Sequence, residues 1–195
     1  MAGKIRIIGG TWRGRRLRVL DAAGLRPSGD RSRERLFNWL QGFTQGAHCL
    51  DLFAGTGALG LECASRGAAS VTLVERDGAV ARHIVDSIVS WPGSDAVTVH
   101  RAEALAWLRR PVGPFDLVFV DPPFDSDLVG PVLQALARPG LLAAGAQVYV
   151  ESPAGAQAGL LHDAKPEPAG WAVRREKCVA GVRMQLLTLP GERPL

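Results

Sequence analysis

From residue 48 to residue 151 the chain alternates between two hydrophobic patterns. Short apolar runs rich in β-branched residues, at 48–52, 70–75, 96–100, 116–120 and 147–151, predict buried strands. Between them, apolar residues three and four apart predict helices over 58–65, 78–89, 102–109 and 127–137. Val80, Ile84, Val85 and Ile88 stripe one of these helices, and Leu128, Val132, Leu133 and Leu136 stripe another. Strands that are apolar throughout and separated by helices predict an α/β fold, a parallel sheet with helices on both faces. Ahead of this core, residues 4–8 and 15–20 flank Gly9-Gly10-Thr-Trp-Arg-Gly14, which reads as a β-hairpin. A helix is expected over 31–41, with Asp30 as its N-cap and Leu36, Phe37 and Leu40 on one face. At the other end, 171–178 and 182–189 around Ala180-Gly181 predict an antiparallel hairpin on the sheet edge, after a loop at 153–169.

Composition narrows this picture without changing it. The chain has 195 residues, 47% hydrophobic with a mean hydropathy of +0.07, which suits a compact core and excludes the disordered class. The expected organisation is a basic hairpin extension over 1–25 and one domain over 26–195. No apolar run approaches the ~20 residues that span a bilayer, and the start lacks a signal-like apolar core. Cys49, Cys63 and Cys178 are odd in number and lack metal-ligand spacing, so a reduced cytoplasmic protein without disulfides or zinc is expected, by default a monomer.

Charge is unevenly placed. Residues 1–35 hold ten Lys or Arg against three acids, a net of +7; the whole chain is +4, so the other 160 residues carry −3. A basic arm on a slightly acidic body suits a polyanionic partner. Arg6, Trp12, Arg13, Arg15, Arg16, Arg26, Arg31 and Arg33 are the candidates for contact with nucleic acid, with Trp12 as ready to pack as to stack. A solvated charged end is the bland alternative.

Two motifs carry the chemistry. The run Asp51-Leu-Phe-Ala-Gly55-Thr-Gly57-Ala-Leu-Gly60 closes a strand and opens a helix, so its backbone amides can approach a negative group. Glu75, at the end of the next strand, is placed to accept ribose hydroxyls. This turn alone fits NAD, FAD or S-adenosylmethionine (SAM), or a purely structural turn. Asp51, four residues before Gly55, favours SAM, whose amino-acid tail carries an ammonium. Glu103 suits the adenine amine equally as well as a solvated helix-start acid. Phe53, Arg76 and Ala104 flank these acids and are assigned to the same cofactor site.

The second motif is Asp121-Pro122-Pro123-Phe124, after the strand at 116–120. The prolines fix their own φ and restrict the residue before them, so the turn is stiff. Asp121 and the Pro122 carbonyl can grip the hydrogens of a nucleobase amine and turn its lone pair out of the ring plane. Phe124 can stack on the base. Asp121 thus borders both cofactor and acceptor. Rival readings are an adenine-N6 methyltransferase, a nicotinamide oxidoreductase and a nucleic-acid binding module with a relic cofactor site.

Nearly the whole chain resembles the RsmD family, bacterial 16S ribosomal RNA guanine-N2 methyltransferases. The likeness lies in Arg6-Ile-Ile-Gly-Gly-Thr-Trp-Arg-Gly-Arg-Arg-Leu17, in Arg26-Pro27 through Asp30-Arg31 and Arg33-Glu34 to Leu36-Phe37-Asn38, in the glycine turn, in Glu75 and in Asp121–Phe124. Ser28, Gly29 and Ser32 stand where the family usually has Thr, Thr and Val. The resemblance implies a Rossmann-like class I SAM-methyltransferase fold with a seven-stranded, mostly parallel sheet and an N-terminal β-hairpin that touches RNA. It further implies methyl transfer to N2 of one guanine in the small ribosomal subunit.

Overall fold

The computed structural model describes residues 3–20, 30–110, 112–155 and 170–189. The expectations for Arg26, the 24–29 loop and most of 153–169 lie outside them. The chain divides into two compact units, Met1–Ala104 and Leu105–Leu195. Seven of the described strands form one mostly parallel sheet, and a separate two-stranded hairpin precedes it.

In the first unit, β1 (Lys4–Arg6) and β2 (Arg16–Arg18) form the antiparallel hairpin, with Ile5 opposite Leu17. Helix α1 (Asp30–Trp39) follows and buries Leu36 and Phe37, with Leu40 buried just past its end. Strands β3 (His48–Asp51), β4 (Ser70–Glu75) and β5 (Val97–Arg101) run parallel, with β4 in the middle. Helices α2 (Ala58–Ser65) and α3 (Gly78–Ile88) cross between them, and the short α4 (Ala104–Trp107) ends the unit. Val85, expected in the α3 stripe, is 44% exposed; Val80, Ala81, Ile84 and Ile88 form the buried face.

The second unit places β6 (Phe115–Val120) parallel to β7 (Leu142–Pro153), with α5 (Val129–Leu136) between them in sequence. Strand β9 (Val182–Thr188) is antiparallel to β7, and β8 (Ala172–Val179) is antiparallel to β9. β7 is much longer than the predicted 147–151. Its early part pairs with Phe115 across a register shift, and its late part reaches Pro153 because β9 continues the ladder to Val182. Helix α5 starts two residues later than predicted, because the Ser126 amide and hydroxyl both donate to the Pro123 carbonyl and extend the turn.

The hairpin is no free arm. Its connecting loop is bonded to α2 by a helix sequence, Ala-Leu-Gly-Leu-Glu-Cys-Ala-Ser, that is almost wholly apolar except for Glu62 and Ser65. Glu62 is fully buried, and its carboxylate accepts the Ile8 and Gly9 amides at 2.8 Å each and Arg66 Nε–H at 2.8 Å. Arg33, also buried, approaches it at 4.0 Å and donates to the Arg6 carbonyl at 2.9 Å. Ser65 Oγ–H donates to the Gly9 carbonyl at 2.5 Å and accepts the Trp12 amide at 2.9 Å, while the Ser65 carbonyl accepts the Thr11 amide at 2.7 Å. A buried carboxylate is tolerated when donors surround it, and removing it strands those donors. Glu62→Ala is expected to cost about 3–5 kcal/mol of unfolding free energy, the size of breaking a buried charge cluster. A loss below about 1 kcal/mol in urea unfolding would show that the loop docks without it.

Candidate active site

In the first unit the C-terminal ends of β3, β4 and β5 lie side by side, the edge at which open α/β sheets bind ligands. β3 ends in Asp51 and turns through Ala54, whose amide donates to the Val74 carbonyl at 3.0 Å. Gly57 caps α2 with φ 78°, a left-handed conformation, and no side chain caps the helix start. Of the first-turn amides of α2, that of Gly60 donates to Asp51, and those of Ala58 and Leu59 are left without an N-cap side chain. Gly60 lets α2 sit against the sheet, since a Cβ there would overlap the Leu73 side chain and press on Val71.

Glu75 closes β4 and reaches back to the turn. Its Oε2 accepts the Gly55 amide at 2.8 Å, and its Oε1 accepts the Asp77 amide at 2.7 Å. The carboxylate is thereby aimed along the glycine turn, half-exposed, with lone pairs to spare for further donors. Asp77 in turn caps α3, accepting the Ala79 and Val80 amides. Those amides hold its pKa below the ordinary value. The Ala102 amide donates to the Glu75 carbonyl at 3.0 Å and places Glu103, exposed, and Ala104, buried, beside the same edge. Phe53 is half-buried in the glycine turn, and Arg76 is exposed.

Asp51 is the unusual member. It is buried at 1% exposure, and its Oδ2 accepts the Gly60 amide at 3.2 Å, while Oδ1 has no hydrogen-bond partner among the described residues. Burial pushes its pKa up to about 7, the amides of Gly60 and Phe53 offset part of that, and the Glu75 charge adds to it. A buried, half-satisfied carboxylate beside an amide-rich turn fits a ligand that brings both a cation and an anion. The α-ammonium and carboxylate of SAM supply that pair, so the donor set and the orphaned oxygen fit this cofactor.

In the second unit Asp121 follows β6, half-exposed, and Pro122 is buried while Pro123 and Phe124 are half-exposed. The Pro123 carbonyl is engaged by Ser126, whereas among the described residues none donates to the Pro122 carbonyl.

The residues assigned to RNA separate into two groups. Arg6, Arg13, Arg16 and Arg31 are exposed, and Arg15 is half-buried with its guanidinium 5.1 Å from the Trp91 ring. Trp12 and Arg33 do not face solvent, which corrects their assignment to the RNA surface. Trp12 is 1% exposed, packed edge-on to Trp91 at 5.2 Å, with its indole N–H donating to the Pro92 carbonyl at 2.8 Å. Arg33 is drawn inward by the Arg6 carbonyl and Glu62. Sequence reasoning passed over Glu62 and Ser65; two polar residues in so apolar a helix were the available signal. It also passed over Glu151 and Tyr149, near the end of β7, where an acid in an apolar strand was the signal.

The sheet, its crossing helices and the glycine turn heading α2 have the Rossmann-like architecture of the class I SAM-dependent methyltransferases. The model of a family described as conserved hypothetical protein 95 matches residues 5–187. The chain is 44% identical over 186 residues to ribosomal RNA small subunit methyltransferase D of Escherichia coli strain K12, covering 95% of this chain and 90% of that protein. It is 38% identical over 189 residues to the protein of the same name in Haemophilus influenzae, covering 94% and 93%. The solved structure of Escherichia coli yhhF superposes with a TM-score of 0.81 at 42% identity, covering 95% of this chain and 97% of that one. The chain belongs to the RsmD family of methyltransferases.

Asp51 leads to a pH dependence. Its pKa in the folded protein exceeds the ordinary carboxylate value of 3.8, so the folded state holds a proton that the unfolded state has lost. Cofactor-free protein should therefore lose stability as pH rises from about 4 to about 7, by an amount on the order of 4 kcal/mol from this group. Asp51→Asn should lack this decline while remaining folded. Parallel urea-unfolding curves for the two proteins across that range would disprove the assignment.

Proposed function

We propose that this chain transfers the methyl group of SAM to the exocyclic N2 of a guanine in 16S ribosomal RNA. The supporting observation is the stiff corner at Asp121–Phe124, whose Pro122 carbonyl accepts from none of the described residues, in a chain 44% identical to ribosomal RNA small subunit methyltransferase D. SAM supplies an electrophilic methyl group on a sulfonium. Asp51 would hold its ammonium, the uncapped amides at the start of α2 its carboxylate, with Gly55 and Gly57 shaping the turn around it, and Glu75 the ribose hydroxyls. Glu103 would accept from the adenine amine, with Phe53, Arg76 and Ala104 bordering the ring.

The chain's remaining task is to make a poor nucleophile react. The amine lone pair of guanine is delocalised into the ring. Asp121 and the Pro122 carbonyl accept its two hydrogens and turn the lone pair toward the donor. Phe124 stacks on an extruded base. Acceleration comes from alignment and polarisation. The amine proton leaves with or after transfer, to Asp121 or to water. The protein is expected to act as a monomer in the cytoplasm, on the small ribosomal subunit.

The hairpin supports the RNA substrate. Lys4 lies opposite Arg18, and Arg6 opposite Arg16, all four exposed on one face while Ile5 and Leu17 are buried on the other. Like charges directly across a strand pair repel and destabilise it. A polyanion relieves that repulsion, and Arg13 and Arg15 extend the patch.

Asp121→Ala should lower methyl transfer from tritium-labelled SAM by at least about a thousandfold while SAM affinity, read by calorimetry, stays near wild type. Turnover at the wild-type rate in that variant would remove Asp121 from its role. Replacing both Arg6 and Arg16 with Ala should weaken RNA binding and flatten the log–log salt slope by roughly 1.5–2. An unchanged slope would place the RNA elsewhere.

A further inference from the structure

Near the end of β7 stands an acid that the mechanism above does not use. Glu151 is 5% exposed, and its Oε1 accepts the hydroxyl of fully buried Tyr149 at 2.7 Å. The parallel register pairs Phe119 with Tyr149 and Val120 with Val150. Continued by one residue, it sets Asp121 level with Glu151. Side chains alternate along a strand, so Phe119, Tyr149 and Glu151 share one face of the sheet, and Asp121 follows directly on the end of β6 beside it. The edge-on contact of the Phe119 and Tyr149 rings at 6.2 Å is the lower layer of that arrangement. Burial pushes the Tyr149 pKa up, and the charges of Glu151 and of Asp121 push it further. The Tyr149 hydroxyl donates its proton to Glu151, which fixes the direction in which that carboxylate points.

Two acids on neighbouring strand ends match one base better than another. The Watson–Crick edge of guanine carries adjacent donors, N1–H and the N2 amine. Adenine carries an amine beside an acceptor at N1. Asp121 with the Pro122 carbonyl grips an amine of either base and cannot tell them apart. A second carboxylate accepts N1–H from guanine and repels the N1 lone pair of adenine.

We propose that Glu151, held by Tyr149, is the specificity-determining residue that accepts guanine N1–H while Asp121 grips the N2 amine. This rests on the guanine-N2 reading above and assigns the residue that selects the base. A site built around a hydrogen-bond acceptor rejects the analogue lacking the donor strongly.

The probe is 2-aminopurine, which keeps the 2-amino group and replaces N1–H with a bare acceptor. The methylated position is first mapped with the wild-type enzyme, and small subunits are then reconstituted from ligated 16S RNA carrying guanine, 2-aminopurine or adenine there. Wild-type enzyme should prefer guanine over 2-aminopurine by roughly a hundredfold or more in kcat/KM. In Glu151→Gln the amide oxygen accepts from Tyr149 and the amide N–H turns to the base, so the preference should fall below about fivefold, with part of the change a gain on 2-aminopurine. A structural role predicts equal losses on both bases. Tyr149→Phe, which removes the phenol's bond to the carboxylate without removing the carboxylate, should narrow the preference to an intermediate value and serves if Glu151→Gln fails to fold.

A wild-type preference retained in the variants that fold overturns the role of Glu151 and leaves guanine-N2 transfer standing. Wild-type enzyme that methylates adenine and not guanine at the mapped position overturns both.

Discussion

The close seat of α2 on the sheet is the constraint from which the rest of the first unit follows. It exists because residue 60 has no side chain, and any Cβ there would overlap Leu73. Seated this low, α2 serves two purposes with its two ends. Its first residues offer uncapped amides beside the glycine turn, and its last turn carries Glu62 and Ser65 to the loop at Ile8–Trp12. A single packed helix therefore holds both the candidate cofactor turn and the segment that carries the basic hairpin. A lift of α2 would disturb the two together, since rigid packed elements transmit strain.

The buried acids of this protein differ in how completely they are satisfied, and that difference separates scaffold from site. Glu62 accepts two amides and a guanidinium at 2.8 Å and has the role of a structural post. Asp51 accepts one amide, keeps one oxygen unengaged, and has its pKa pushed up to about 7. An uncompensated buried carboxylate is costly, so a protein retains one where a ligand completes it. Glu75 lies between these cases, its oxygens aimed by the Gly55 and Asp77 amides without being exhausted. The same test distinguishes the two carbonyls of the Asp121 corner: Pro123 is taken by Ser126, and Pro122 accepts from none of the described residues.

Much of this was legible in advance. Strand–helix alternation over 48–151 specified the layered α/β fold, because a strand buried on both faces must be apolar throughout and a covering helix must be striped. The glycine turn and the proline corner were legible too, since each depends on backbone conformations that few residues permit. Boundaries were less so. β7 runs to Pro153 because a strand distant in sequence, β9, continues its ladder, and α5 starts late because Ser126 bonds the preceding turn.

The sequence by itself determined the architecture, the glycine turn and the stiff proline corner, all of which rest on local period and local stereochemistry. Only the tertiary structure decided which members of a charged or aromatic cluster face water. Trp12 and Arg33 read like the hairpin arginines around them, yet Trp91 and the Pro92 carbonyl enclose the first, and the Arg6 carbonyl and Glu62 enclose the second. Glu62 acquires its place under the hairpin loop, and Tyr149 its bond to Glu151, in the same way. The direction of a side chain depends on partners far along the chain, and no local pattern encodes that distance.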